Sequence, residues 1–356
     1  MNPAVITPRS WSAKAVGLGR LLPRDRLHPA VLAWEARRRK DEIWCVAFSG
    51  GADSLALLLL LWAHWPERRG RLVALHFNHR LRGRASAADA AFCRRVCRGL
   101  GVPLREGEWT DAPRTGASEA AARAARHGFF DRTLPRLKTK VLWLAHQQDD
   151  IAETLFMRLA RGSGTAGLAA PRPVASVGLR RHLRPLLTLP KARLLEALRQ
   201  AGVPWREDES NAGPAHFRNR VRQQVLPSWV AAAGRDALAG AALARERLEE
   251  DDAALETWLD EVQPLVGRRT LDLGRLAGRP LALWRRALHR WLRAVRPRSD
   301  LSRQGCELLL AALRAGRDTR FSLGACDFAV VRQGKLSLQR PRRRSAPKKK
   351  ILRRTI

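Results

Sequence analysis

The chain has 356 residues, 45% of them apolar and 28% charged, a globular composition that excludes wholesale disorder, collagen-like repetition and low-complexity scaffolding. Lys and Arg number 67 against 33 Asp and Glu, a formal charge of +34 that is the electrostatic footprint of a protein meeting polyphosphate, with an Arg-rich genomic composition as the alternative source of part of it. The longest purely apolar run, Leu55 to Ala63, falls far short of the roughly 20 residues a membrane helix needs, so no membrane role is expected.

Residues 1–40 are basic, carry no secretory-signal pattern and read as an arm preceding the first domain. Ile43 to Phe48 is rich in strand formers, Ser49-Gly50-Gly51-Ala52-Asp53-Ser54 breaks it, and a Leu-rich helix follows from Leu55 to His64. A second strand over Leu72 to Phe77 leads through Asn78-His79-Arg80 into a helix from Ser86 to Leu100. Ser118 is an N-cap candidate for a helix to Arg132, and Val141 to Ala145 is a strand that hands over at His146 to a helix from Asp150 to Arg161. Alternating strands and helices predict an α/β fold with a doubly wound, mostly parallel sheet, whose ligands bind beyond the carboxyl ends of the strands. Pro171 to Pro190 reads as a loop-rich lid. From Ser228 to Leu292 the Ala/Leu/Arg/Glu pattern is helical, and Phe321 to Leu338 alternates as short strands. The expected organisation is therefore a basic arm (1–40), a nucleotide-binding domain (41–227), a helical domain (228–297), a small C-terminal α+β module (298–339) and a disordered basic tail (340–356). Five scattered cysteines, Cys45, Cys93, Cys97, Cys306 and Cys326, form no disulfide framework and no Cys-x-x-Cys knuckle, which fits a reducing cytoplasm.

The Ser49–Ser54 loop carries the sharpest chemistry. Paired glycines let backbone N–H groups crowd an anion, the serines add donors, and the following helix points its positive end at the ligand. A carboxylate, Asp53, inside an anion-cradling loop makes sense if a divalent cation sits between it and a phosphate. Asp150 and Glu153 stand at i, i+3 on one helix face and can together hold Mg²⁺ or an ammonium group, with a solvated acidic face as the alternative. Arg123 and Arg126 share a face in the same way, and Arg218 and Arg222 lie one turn apart, suited to phosphate or carboxylate or to surface ion pairs. His146 at a strand end, beside Asp149 and Asp150, reads as part of the same site.

Ser-Gly-Gly-x-Asp-Ser resembles the pyrophosphate loop of N-type ATP pyrophosphatases, the PP-loop superfamily with an adenine nucleotide alpha hydrolase-like sheet. His76-Phe77-Asn78-His79-Arg80-Leu81-Arg82, Glu119-x3-Arg123-x2-Arg126, Ala145-His146-x2-Asp149-Asp150-x2-Glu153-Thr154, Arg161-Gly162-Ser163-Gly164-x2-Gly167-Leu168, Arg184-Pro185-Leu186-Leu187, Asp208-x-Ser210-Asn211 and Arg218-Asn219-x2-Arg222 follow in order. Together, over about residues 43–227, they resemble the tRNA(Ile)-lysidine synthetase family. Gln147 replaces the family's second His, and Ile151 its usual Gln.

The resemblance implies an enzyme that uses ATP and Mg²⁺ to join L-lysine to C2 of the first anticodon cytidine of tRNA(Ile) with a CAU anticodon, through an adenylated intermediate. It implies ATP binding by Ser49, Gly50, Gly51, Ala52, Asp53, Ser54 and His76, and lysine binding by Asp150, Glu153 and Arg218. Asp53 and Asp150 would hold metal, while Asp53, Arg126, His146, Asp149 and Asp150 would form the catalytic set. The helical and C-terminal regions would grip tRNA, and a homodimer is left open. Two other readings stand beside it: a PP-loop tRNA sulfur-transfer enzyme, which would need reactive cysteines, and a non-catalytic basic RNA-binding protein.

Overall fold

Two helices lead the described chain: α1 (Trp11–Leu21), whose Ala13 amide donates to the Ser10 side chain, and α2 (Pro29–Ala36), whose Ala30 amide donates to His28. The computed structural model describes residues 10–81, 83–110, 118–207, 217–267, 269–295, 301–324 and 326–340, and divides into two units, 1–249 and 250–356. The Asp208–Asn211 motif and the tail beyond Arg340 lie outside the described residues.

In the segment expected as a basic arm, the described Arg residues are exposed while Ala15, Leu18, Leu22, Leu27 and Val31 are buried in the main core. The chain then runs β1 (Trp44–Ala47), α3 (Ala52–His64), β2 (Leu72–Asn78), α4 (Arg84–Leu100), β3 (Leu104–Glu108), α5 (Glu119–Arg136), β4 (Val141–Trp143), α6 (Gln148–Leu159), α7 (Thr165–Leu168), β5 (Val174–Val177), β6 (Arg180–Leu183) and α8 (Lys191–Gln200). The strands form one sheet in the order β3-β2-β1-β4-β6-β5, parallel except where β5 returns antiparallel to β6, as the strand-helix rhythm predicts.

Both faces of the sheet are covered, so the central strands are apolar throughout rather than alternating. Trp44, Val46, Leu72, Ala74, Val141 and Trp143 face the core built by α1, α3 and α8, and Cys45, Val73, Leu75 and Leu142 face Phe129, Phe130 and Leu134 of α5. Helix α3 is buried from Ser54 to Trp62, which explains its unbroken Leu run. Three indoles, Trp44, Trp65 and Trp143, lie with ring centroids 4.5 to 6.1 Å apart, and the Arg68 and Arg24 guanidinium groups cover Trp44 and Trp65 at 4.4 Å.

The segment from Pro171 to Pro190 is not a lid. It supplies β5 and β6, and its prolines bound a turn whose Pro185, Leu186 and Leu187 are buried. The Thr188 hydroxyl donates to the Arg26 carbonyl and the His28 amide to the Pro185 carbonyl, tying this turn to the N-terminal helices.

Beyond α8, α9 (Phe217–Arg220) continues through a π-helical turn into α10 (Leu226–Ala232). Val221, Leu226 and Trp229 pack with Ala152 and Phe156 of α6 and with Ala241 of α11 (Ala237–Val262). The division between units falls inside α11.

The second unit has its own core. Strands β7 (Leu265–Val266) and β8 (Thr270–Asp272), the amphipathic α12 (Leu281–Val295), α13 (Arg303–Arg314) and strands β9 (Thr319–Gly324), β10 (Asp327–Arg332) and β11 (Lys335–Gln339) enclose Leu271, Leu288, Trp291, Leu309, Val331 and Leu336. Its sheet is antiparallel, in the order β7-β8-β11-β10-β9. Arg286 pairs with Asp252 and Glu256, and Arg290 with Glu256 and Asp260.

Candidate active site

Strands β1 and β4 are neighbours where the strand order reverses, and their carboxyl ends are where such a sheet opens a ligand crevice. The Ser49–Ser54 loop leaves β1 here and closes on itself. The Ser54 hydroxyl donates to the Gly51 carbonyl (3.0 Å), so its oxygen accepts from the Ser49 amide (3.2 Å) and the Ser49 hydroxyl (3.0 Å). Gly51 then caps α3, whose first-turn amides have no intrahelical acceptor and point beyond the helix end, toward an anion.

Gly50 has φ +89, and a Cβ built there would meet Cys93 Sγ at 3.2 Å and Phe92 at 3.3 Å. Gly50→Ala is therefore expected to destabilise the first unit by about 1 to 3 kcal/mol and to weaken nucleotide binding at least tenfold, which denaturant unfolding and ATP titration would measure. Wild-type affinity in that variant would contradict the loop's role.

Asp53 lies in the first turn of α3 with one carboxylate oxygen buried and no hydrogen-bond partner among the described residues. Burial pushes its pKa up to about 6, helped by the negative charge of Asp150 and opposed by Lys191. This desolvated, unpartnered oxygen fits a divalent cation. No group of three or more His, Cys, Asp and Glu side chains among the described residues forms a ready-made metal cage. A cation at Asp53 would complete its shell with other oxygens, such as those of phosphates.

Helix α6 brings the second cluster. Gln147, 1% exposed, caps it: its side-chain oxygen accepts from the Asp149 amide (2.6 Å), while its own amide donates to Asp150 (2.9 Å). Ile151 is buried. Both departures from the family pattern are thus used in folding. Asp150 also accepts from Arg218. Glu153, 1% exposed, accepts from Arg218 Nε at 2.6 Å and Arg222 Nε at 2.5 Å. The expected lysine-binding trio is brought together, but as an internal ion-pair network in which Arg218 holds the two acids. Asp149 turns to the start of α8 and accepts from the Lys191 amide (2.8 Å).

His76 lies behind the loop, 4% exposed, its Nδ1–H donating to the Phe48 carbonyl (3.0 Å). His146 stands just past β4, and its Nδ1 accepts from Arg184 Nε (3.2 Å). Burial, then the charges of Arg184, Arg218, Arg123 and Arg126, hold its pKa well below the ordinary value, which places the two α5 arginines in the electrostatic surroundings of His146. Arg184, His182, Arg222 and Lys191 complete the surroundings. The Arg-Pro-Leu-Leu motif and the i, i+4 arginine spacing were the available signals for two of them, whereas nothing local marked His182 or Lys191. A pocket of about 350 Å³ opens beside the acids, lined by Asp149, Glu153, Lys191, Arg222, Leu226 and Leu238. Its lining pairs two carboxylates with two cations against apolar walls.

The cysteines of the first unit are packing residues: burial pushes Cys45 and Cys97 up to about 12 and raises Cys93 further. None offers the thiolate that sulfur transfer needs.

Comparison with known proteins shows the family. The family model of the PP-loop domain matches residues 28–229. The tRNA(Ile)-lysidine synthase of Geobacter sulfurreducens is 36% identical over 248 residues, 68% of this chain and 52% of that protein. Its counterpart in Solibacter usitatus is 43% identical over 187 residues, 52% of this chain and 40% of that protein. That of Rhodopseudomonas palustris is 40% identical over 256 residues, 69% and 72%. The chain thus spans about half the length of the first two.

Proposed function

The chain belongs to the tRNA(Ile)-lysidine synthase family of PP-loop proteins, and from that membership and the cleft geometry we propose that it is an ATP-dependent lysine ligase acting on tRNA(Ile) with a CAU anticodon. The observation that carries the reading is that the Ser49–Ser54 loop and the α6 acids follow the adjacent parallel strands β1 and β4 at the same end of the sheet, so that an anion-cradling loop and a carboxylate cluster open on one crevice.

In the first step O2 of the cytidine attacks the α-phosphorus of ATP and pyrophosphate leaves. The Ser49–Ser54 loop and the α3 amides hold the departing phosphates, and Asp53 would hold Mg²⁺, which would supply positive charge against them. In the second step the ε-ammonium of lysine passes a proton to one of the carboxylates that receive it, Asp150 or Glu153, the free amine attacks C2, and the C2–O2 bond breaks as AMP departs with the oxygen. Asp150 and Glu153 recognise the lysine charge, and Arg218 exchanges part of its contact with them for lysine carboxylate or the adenylate phosphate. Asp150, whose oxygens are taken by the Gln147 amide and Arg218, would join Asp53 in holding the metal only on releasing Arg218. Arg126 and His146 face the reacting groups, Asp149 fixes the α8 end of the pocket, and His76 supports the loop beneath the nucleotide. We place the reaction in the cytoplasm; no described helix is long and apolar enough to cross a membrane.

Incubation with ATP, labelled lysine and total tRNA should release AMP and transfer label into tRNA in equal amounts. AMP release without labelled tRNA would refute the ligase assignment. The charge of +34 further predicts that tRNA affinity falls about a thousandfold between 50 and 200 mM salt, as expected for six or more phosphate contacts, and filter binding would measure the slope.

A further inference from the structure

Arg184 is 9% exposed and uses three nitrogens at once: Nε donates to His146 Nδ1 (3.2 Å), Nη2 to His182 Nδ1 (3.3 Å), and Nη1 to the Arg172 carbonyl (2.6 Å). A guanidinium has no acceptor, so each imidazole nitrogen that meets it must be the unprotonated one. Arg180 imposes the same state on His127, donating from Nη1 to Nδ1 at 3.0 Å, and His127 stacks on His182 with ring centroids 6.2 Å apart.

We propose that Arg184 is a positioning residue of the ligation site, which locks His146 as the neutral tautomer carrying its only proton on Nε2, so that His146 serves as a hydrogen-bond donor to substrate oxygen and not as a base at Nδ1. The proposal rests on the reading of this cleft as the ligation site. The surroundings support a neutral ring: His146 is faced by Arg184 from the β6 end, Arg123 and Arg126 from α5 and Arg218 from α9, and the carboxylate of Asp150 is taken up by Gln147 and Arg218. A neutral N–H donor stabilises negative charge developing on an oxygen without accepting its proton, the service a leaving adenylate needs. Anchoring on the Arg172 carbonyl fixes the guanidinium, and so the ring, before substrate arrives.

The test uses the full chain labelled with ¹⁵N-histidine. In the wild type, the His146 Nδ1 resonance, assigned by its loss in His146→Gln, is expected at the position of an unprotonated ring nitrogen near neutral pH. A protonated Nδ1 overturns the proposal whatever the activity of the variants. Arg184→Met should let His146 populate both tautomers and lower kcat for lysine transfer by about 10- to 100-fold with little change in KM for ATP. An unchanged tautomer or an unchanged kcat in the folded variant would also overturn it. His146→Gln keeps an N–H near the Nε2 position and should retain at least about tenfold more activity than His146→Asn, and the reverse order counts against the donor role. If the wild type transfers no lysine, the functional reading fails while the tautomer measurement still decides this one.

Discussion

Asp53→Asn is expected to lower ATP-dependent lysine transfer by at least about 100-fold, the loss seen when a group that stabilises charge in the transition state is removed. The variant should remain folded, because the Asp53 carboxylate is a burden on the fold. Its pKa is raised from 3.8 to about 6 by burial, so the folded chain binds that proton more tightly than the unfolded chain. The favourable contribution is full below about pH 4 and is lost as pH rises through about 6. Above that, metal-free Asp53→Asn should be more stable than the parent by up to about 2 kcal/mol after allowance for partial exposure, and at pH 4 the two should coincide. Urea unfolding at both pH values in chelator checks this. Undiminished turnover would remove the nucleotide assignment, and a stability difference independent of pH would remove the burial argument.

The second large effect falls on Glu153. A carboxylate with 1% exposure holding two guanidinium groups is the electrostatic centre of the α6–α9 contact. Glu153→Ala takes both contacts from Arg222 and leaves Arg218 its pairing with Asp150, and the two guanidinium groups, 32% and 25% exposed, can hydrate, so the expected loss lies near 3 kcal/mol, the lower end for a broken buried pair. Removing both arginines, as Arg218→Met with Arg222→Met, strands the carboxylate instead and should cost at least as much, about 3 to 5 kcal/mol. Equilibrium unfolding ranks the two. In addition, KM for lysine should rise more than tenfold in Glu153→Gln, which keeps the shape and loses the charge. A Gln variant with unchanged lysine dependence would mean that Glu153 serves the fold alone.

The central sheet was legible because its strands are fully apolar and bounded by glycine and polar loops: β1, β2 and β4 were each placed within a residue or two. Strand β3 was not, since Leu104-Arg105-Glu106-Gly107-Glu108 lies at the sheet edge with one face in solvent and carries no apolar alternation. The proline-rich stretch misled for a related reason. Its prolines bound a hairpin and a buried turn, and their density says nothing about which backbone groups pair across the sheet. In the site, the loop and the α6 acids could be read from local spacing. That Arg218 and Arg222 would be held by Asp150 and Glu153 could not, because those pairs join positions more than 60 residues apart.

The bond between the His28 amide and the Pro185 carbonyl also sets an order of events during synthesis. At roughly 5 to 20 residues per second, the interval from emergence of His28 to that of Pro185 is on the order of 10 to 30 s. Throughout it, the apolar faces of α1 and α2 wait on the nascent chain, and α3 can cover only part of them. β6 and the turn after it, which carry Arg184, emerge late, and α8, whose Leu194, Ala197 and Leu198 close the same core, later still. The core around the N-terminal helices and the cleft are therefore both completed by the chain from β6 onward, so a ribosome paused before β6 holds a chain that has its phosphate loop but lacks Arg184, Arg218 and Arg222.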